Sequence, residues 1–288
     1  MTATDLTALL DLPPRETVAR HGIRDVILYA LGVGVTREGA TSKEVLRFAY
    51  EKDLQVLPTM ATVLASPGFW MRQPEYGIDW QRVLHAEQST RLHNPIPVEG
   101  ELISRLYVEE VFDKGPAKGA ILYSRREIHC KTSGLHIATD RRATFLRGDG
   151  GRGGRTEGQP VARSLPERPC DVTLALRTRQ DQALIYRLSG DYNPLHADPE
   201  VARSGGFERP ILHGLCTYGV AGRALLTGLC DGDPSRLTRM DCRFSAPVYP
   251  GETIVTEIWR EGAGTAAFRA TALERGITVL DRGYAEHA

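Results

Sequence analysis

The chain has 288 residues, 41% of them hydrophobic and 25% charged, with 36 basic side chains against 36 acidic ones. That is ordinary globular composition, enough for one large domain or two small ones, and zero formal net charge argues against nucleic acid or an acidic membrane as the main partner. The five cysteines form no Cys-x-x-Cys pair, and no apolar run approaches the roughly 20 residues of a membrane span, so a soluble protein of the cytoplasm with reduced thiols is expected.

Residues up to about Pro14 read as a poorly ordered lead-in. A first unit begins with Val26-Ile-Leu-Tyr-Ala-Leu-Gly-Val-Gly34 and Ser42-Lys-Glu-Val-Leu-Arg-Phe-Ala-Tyr50. The second of these carries apolar residues at helical spacing behind a hydroxyl cap. Strand-like runs follow at 82–88, 101–108, 120–124 and 142–146. Composition then breaks at Arg147-Gly-Asp-Gly-Gly-Arg-Gly-Gly-Arg155. So much glycine cannot hold a strand or helix, and the stretch reads as a flexible linker.

The expected organisation is therefore a unit over 1–147, a Gly/Arg-rich linker over 148–164 and a second unit over 165–288. The second unit echoes the first. Tyr29-Ala-Leu-Gly matches Tyr186-Arg-Leu-Ser-Gly, and Asn94-Pro-Ile-Pro-Val-Glu-Gly-Glu101 matches Ala246-Pro-Val-Tyr-Pro-Gly-Glu252. Matched landmarks suggest duplication of one α+β unit. The copies differ in a helix: the second carries a long apolar helix over 214–226. The first has Leu57-Pro-Thr-Met-Ala-Thr-Val-Leu-Ala-Ser-Pro67, hemmed by prolines and necessarily short.

Only the second unit holds a concentrated polar group, Tyr186-Arg-Leu-Ser-Gly-Asp191-Tyr-Asn193-Pro-Leu-His196. Gly190 and Pro194 are turn residues that bracket it. A carboxylate and an imidazole held this close can grip one water, as general acid–base chemistry requires. A plain Asx turn that starts a helix is the alternative for Asp191 and Asn193 alone; His196 favours chemistry. Asp198-Pro199-Glu200 reads as an N-cap with proline at the first helical position, outside the catalytic set. Asp191, Asn193, His196 and Asp198 also allow a metal lyase, but such sites usually add further His or Cys ligands, and no metal is expected.

These residues resemble the hydratase-2 (MaoC-like) enoyl-CoA hydratases. Besides the motif at 186–196, the likeness rests on Gly206-Phe-x-x-Pro-Ile-Leu-His213-Gly214, Leu84-His-Ala-Glu-Gln88, Leu57-Pro-Thr59 and Arg243-Phe-x-x-Pro-Val-Tyr-Pro-Gly251. It is greatest to the hydratase region of the peroxisomal multifunctional enzyme of β-oxidation. The resemblance implies a double hotdog fold, in which each half wraps an antiparallel sheet around a central helix, and a degenerate first half that makes room for long or bulky acyl chains.

It also implies reversible addition of water to a trans-2-enoyl-CoA, giving the (3R)-3-hydroxyacyl-CoA. No cofactor is implied beyond the CoA of the substrate, and the assembly implied is a homodimer. Asp191 and His196 would handle the water and its protons, with Asn193 orienting it. The backbone N–H of Gly214, at a helix start, would face the thioester oxyanion. Tyr192, Pro194 and Leu195 would line the substrate. His85, Ala86, Lys114 and Phe244 would meet the CoA portion. A solvated turn lysine and a core phenylalanine are the alternatives for Lys114 and Phe244, and a helix-entry residue for His213. Glu51 would be supporting. Ala86 stands where this family usually has glycine. A hotdog acyl-CoA thioesterase and a non-catalytic acyl-CoA-binding protein are the other readings.

Overall fold

The computed structural model describes residues 5–37, 39–161 and 163–288. Residues 1–4 of the expected lead-in, and Ala162 in the expected linker, lie outside the described residues. In chain order the first half contains β1 (Arg15–His21), α1 (Ile23–Gly32), α2 (Lys43–Leu46), β2 (Val83–Leu92), β3 (Gly100–Asp113), β4 (Ala120–Cys130) and β5 (His136–Leu146). The second half contains β6 (Val172–Arg177), α3 (Gln182–Tyr186), α4 (Pro199–Ser204), α5 (Gly214–Leu229), β7 (Leu237–Phe244), β8 (Thr253–Gly262), β9 (Thr265–Ala272) and β10 (Ile277–His287).

All these strands form one antiparallel sheet in the order β1-β3-β4-β5-β2-β7-β10-β9-β8-β6. If each half is numbered from its own first strand, both read 1-3-4-5-2, and they join through the pair β2·β7. The repeated order is the signature of a duplicated unit, as the paired Tyr-x-Leu and Pro-rich landmarks predict. At the seam Glu87 faces Arg243 and Ser89 faces Asp241. Glu286 takes Arg91 at 2.8 Å and Arg239 at 3.1 Å, tying the halves on the outer face.

Helix α5 is the core of the second half, and most of its residues are buried. Glycines let it lie close to its neighbours: a Cβ on Gly222 would sit 2.6 Å from Thr59 Cγ2. Its first-half counterpart is a five-residue 3₁₀ turn, Pro58–Thr62. The prolines predict that shortness. A buried Arg126 adds to it, donating to the carbonyls of Leu64 (2.8 Å), Ala61 (2.9 Å) and Thr62 (3.0 Å) and pairing with buried Asp140 at 3.0 Å.

Two expectations need correction. The described part of the lead-in is packed: Leu6–Asp11 forms a 3₁₀ helix that buries Leu6 and Leu9 against Trp70, Met71 and Leu146. The start of the linker is likewise fastened rather than slack. Leu6 N–H donates to Arg152 C=O at 2.7 Å, Gly151 N–H to Asp113 Oδ1 at 2.9 Å, and Arg155 exchanges backbone bonds with Val111 and Asp113. Positive φ at Gly151 and Gly154 supplies the tight path that these bonds need. The predicted strands at 82–88, 101–108, 120–124 and 142–146 overlap β2, β3, β4 and β5, each of which extends further. β1, short and charged, has no counterpart among them.

Candidate active site

Helix α3 continues as a 3₁₀ turn, Arg187–Ser189, and ends at Gly190 with φ +117°, where only glycine is unstrained. The chain then turns twice on its own side chains. Asp191 Oδ1 accepts from Asn193 N–H (3.2 Å), and Asn193 Oδ1 accepts from Leu195 N–H (3.1 Å), capping the 3₁₀ turn Pro194–His196. Asp198 caps α4, accepting from Glu200 N–H at 2.8 Å, as expected of a structural residue. The Asx turn and the chemical group are thus the same atoms: the turn presents Asp191 at the surface and tucks His196 inside, 9% exposed.

The tautomer of each imidazole follows from its partner, because a carbonyl only accepts. His196 Nδ1 lies 2.9 Å from Ile211 C=O and carries the proton, which leaves the Nε2 lone pair free. His213 Nε2 donates to the backbone carbonyl of Asp191 at 3.1 Å. The two rings stack with centroids 3.7 Å apart and planes at 29°, and the Tyr186 ring packs against His213 with centroids 5.0 Å apart. One polar atom from each of Asp191, His196 and His213 lies within 4.8 Å of the other two. Such a trio would also suit a metal ion.

Burial, seconded by repulsion from the neighbouring imidazole, holds His213 well below its ordinary pKa. His196 is lowered as well, first by burial; its bond to Ile211 and the Asp191 carboxylate oppose this, and Arg187 adds to it. Both rings are therefore neutral at pH 7, and His196 is competent as a base.

Gly214 opens α5, and among the described residues no acceptor meets its N–H: the first bonds of the turn come from Cys216 and Thr217 to His213 C=O. A Cβ on Gly214 would lie 3.2 Å from Phe244, so that ring covers the helix start. Phe244 in turn packs against His85, 4.8 Å between centroids. Burial and then Arg142 push His85 down to about 3, while Asp140, the Glu87 carbonyl and, last, Asp191 oppose. The helix start, Phe244, His85 and the Asp191 loop thus form one neighbourhood.

Residues 161–281 match the MaoC like domain, and residues 20–148 match the MFE-2 hydratase 2 N-terminal domain. This chain belongs to the MaoC-like hydratase 2 family. It is 43% identical to the 3-hydroxyacyl-thioester dehydratase Y of Mycobacterium tuberculosis over 92% of both chains. It is 38% identical to the peroxisomal enoyl-CoA hydratase 2 of Arabidopsis thaliana, over 98% of this chain and 94% of that one. The crystal structure of a MaoC-like dehydratase from Phytophthora capsici superposes with a TM-score of 0.87 at 34% identity, covering 99% of each chain. The fold is the double hotdog.

Within this MaoC-like frame, Ala86 is the extra residue of a β-bulge: His85 pairs with Thr144 and Glu87 with Ala143, with nothing opposite Ala86. Its φ is not in the left-handed region, so alanine fits where the family usually has glycine. Tyr192 is exposed beneath the Arg187 guanidinium, and Pro194 and Leu195 form the rim of the loop. Lys114 stands apart in the exposed β3–β4 turn, and Glu51 in the exposed turn after α2; no described contact joins either to Asp191. Sequence reasoning left His213 open and missed Arg142. The Leu-His-Gly spacing pointed to the first; Arg142 reads as an ordinary strand arginine.

Proposed function

We propose that this chain is an (R)-specific 2-enoyl-CoA hydratase, a hydro-lyase that adds water reversibly to a trans-2-enoyl-CoA to give the (3R)-3-hydroxyacyl-CoA. The observation that carries this reading is the convergence of an exposed carboxylate and a neutral, Nε2-unprotonated imidazole beside the unpaired N–H of a helix start. Asp191 and His196 hold one water. As its oxygen bonds to C3, its proton passes to this pair, the C2=C3 π electrons move toward the thioester, and charge collects on the thioester oxygen. The Gly214 N–H and the positive end of α5 stabilise that oxyanion. The pair then returns a proton to C2, so the atoms of one water are added. Which group is formally the base is a property of the coupled pair. Asn193 spends its Oδ1 on Leu195, and its role is to hold the loop that aims Asp191. His85, Ala86, Phe244, Tyr192, Pro194 and Leu195 line the approach, and Lys114 meets a phosphate of CoA.

The chemistry needs no cofactor and no metal. The missing first-half helix supports long, branched or steroid-type acyl groups as substrates. No helix among the described residues is long and apolar enough to cross a membrane; the unpaired thiols of Cys216, Cys230 and Cys242 support a cytoplasmic protein, and family membership supports a homodimer. Loss of enoyl absorbance with short, medium and steroid enoyl-CoA substrates, chiral analysis of the product and the Asp191→Asn variant test the reading. An (R)-3-hydroxy product that survives chelator supports it. Chelator-sensitive turnover favours a metal lyase; thiol release with the enoyl band intact favours a thioesterase, and binding without turnover a carrier.

A further inference from the structure

We propose that His213 is a positioning residue that sets the separation and aim of Asp191 and His196 while remaining neutral itself. The inference rests on the hydratase reading of this site and adds a residue to it. Each catalytic group touches His213 in a different way. Its Nε2–H holds the main chain of Asp191 (3.1 Å), on a loop otherwise tied by local turns and by the His196–Ile211 bond. Its ring stacks on His196 (centroids 3.7 Å, planes at 29°), and with the Nδ1–H bond to Ile211 that restrains the His196 ring. Its own ring packs against Tyr186, which is buried against Tyr29 of α1. His213 thus connects a surface carboxylate to the rigid interior.

Chemistry rules out the other roles. The Nε2–H is spent on a carbonyl. Nδ1 is buried and has no partner among the described residues, so His213 has no hydrogen-bonded route for a proton. The charged and titratable groups around the stacked pair among the described residues are Asp191 and Arg187 from the motif, Tyr186 from α3, Tyr29 from α1, Cys216 from α5, Arg142 from β5 and His85 from β2, which faces Asp191. None of them bonds to Nδ1 to support a second proton on His213. A cationic His213 against His196 would also oppose the imidazolium that forms when His196 takes a proton.

Three substitutions separate the two contacts. His213→Phe keeps the stacked ring and loses the donor; His213→Gln keeps a donor at similar reach and loses the ring; His213→Ala loses both. For each, kcat, KM and the pH profile of kcat/KM on an enoyl-CoA are measured, with the titration of His196 followed by imidazole NMR. The Ala variant should lose on the order of 100-fold in kcat, the usual cost of a misplacement near 1 Å, with KM little changed. Phe and Gln should each recover part of the loss. The acid limb and the His196 titration should move up toward the ordinary histidine value in Ala and Gln, where His196 is uncovered, and stay put in Phe.

A folded Ala variant with wild-type kcat overturns the proposal, as does a rate loss with His196 titrating unchanged in both Ala and Gln. If the Ala variant does not fold, wild-type kcat in both Phe and Gln overturns it equally. Wild-type protein without hydratase activity sinks the hydratase reading, while the His196 titrations still decide whether His213 braces that ring.

Discussion

Gly214→Pro is the sharpest test of the oxyanion donor, because the structure allows the N–H to be deleted with little else. Gly214 is the first residue of α5, where proline is favoured. The residue before it, His213, has φ −58° and ψ 135°, the extended conformation that proline requires of its predecessor. The deleted N–H bonds to no described group, so no protein hydrogen bond is lost. The added Cβ lies 3.2 Å from Phe244 Cε1 and 3.3 Å from Cδ1, which moves the ring by a few tenths of an ångström, and the proline Cδ takes the place of the amide hydrogen. Gly214→Ala carries the same Cβ and keeps the N–H, so the ratio of the two variants cancels the Cβ and reports the exchange of the donor for the Cδ methylene. Loss of one oxyanion donor costs about 2.7–4 kcal/mol, or about 10²–10³ in kcat. Stability should hold or rise, since removing glycine freedom from the unfolded chain contributes about 0.4–1 kcal/mol. The assay is loss of enoyl absorbance for both variants beside a thermal melt. Equal turnover by folded Pro and Ala variants would refute the assignment of Gly214.

Asp191→Asn preserves the acceptor for Asn193 N–H. It should therefore fold normally and lose about 10²–10⁴ in kcat, the span of general acid–base contributions; wild-type rates would exclude Asp191. The activity of the native protein should hold down to a pH below the usual histidine range, because base catalysis needs a neutral His196 and burial depresses its pKa. Stability should behave alike. His196 and His213 titrate lower when folded than when unfolded, so the unfolded chain binds more protons between those values. Stability is full above about pH 6.5 and falls on acidification through that window, by up to about 1.4 kcal/mol per pH unit for each imidazole; a melting midpoint flat from pH 7 to 5 would contradict this. Arg126→Ala strips a buried charge from Asp140 and the donors from three buried carbonyls, and should cost about 3–5 kcal/mol in chemical unfolding. Arg105→Ala, at an exposed pair with Glu16, should cost under about 1 kcal/mol.

What could be read from the chain depended on how local the cause was. The turn at 190–198 was legible because Gly190, Asn193, Pro194 and Asp198 act on backbone groups within three residues, and its caps are those that the residue types dictate. The long helix was legible from its apolar run, and the duplication from landmarks repeated at matching places. The lead-in was misread because Leu6 and Leu9 are buried by Trp70 and Leu146, partners far away in sequence. The linker was misread for the same kind of reason. Glycine content shows that a stretch cannot be regular, not that it is loose, and the partners of Gly151 and Arg155 lie on β3 and its end. The roles of His213 and Arg142 depend on which strand and loop come to lie beside them, and periodicity carries no trace of that.

The shortness of the first-half helix has two physical sources, the prolines that hem the segment and the buried Arg126 that bonds its carbonyls. A helix continuing past Thr62 would need the carbonyls of Ala61 and Thr62 for its own N–H groups four residues on. In this chain they accept from Arg126, with Arg142 also donating to Thr62 at 2.8 Å. The segment therefore stops as a 3₁₀ turn with neither the length nor the aligned peptides to concentrate positive charge at its start. Residues like those at 191–196 placed beside it would meet no oxyanion donor of the kind that α5 offers at Gly214. The same buried arginine, with the flanking prolines, keeps that segment short, and the long helix with its open N-terminus is left to the second half. Restoring the length of that turn without removing Arg126 and its partner Asp140 would leave the guanidinium competing with the new helix for the same two carbonyls.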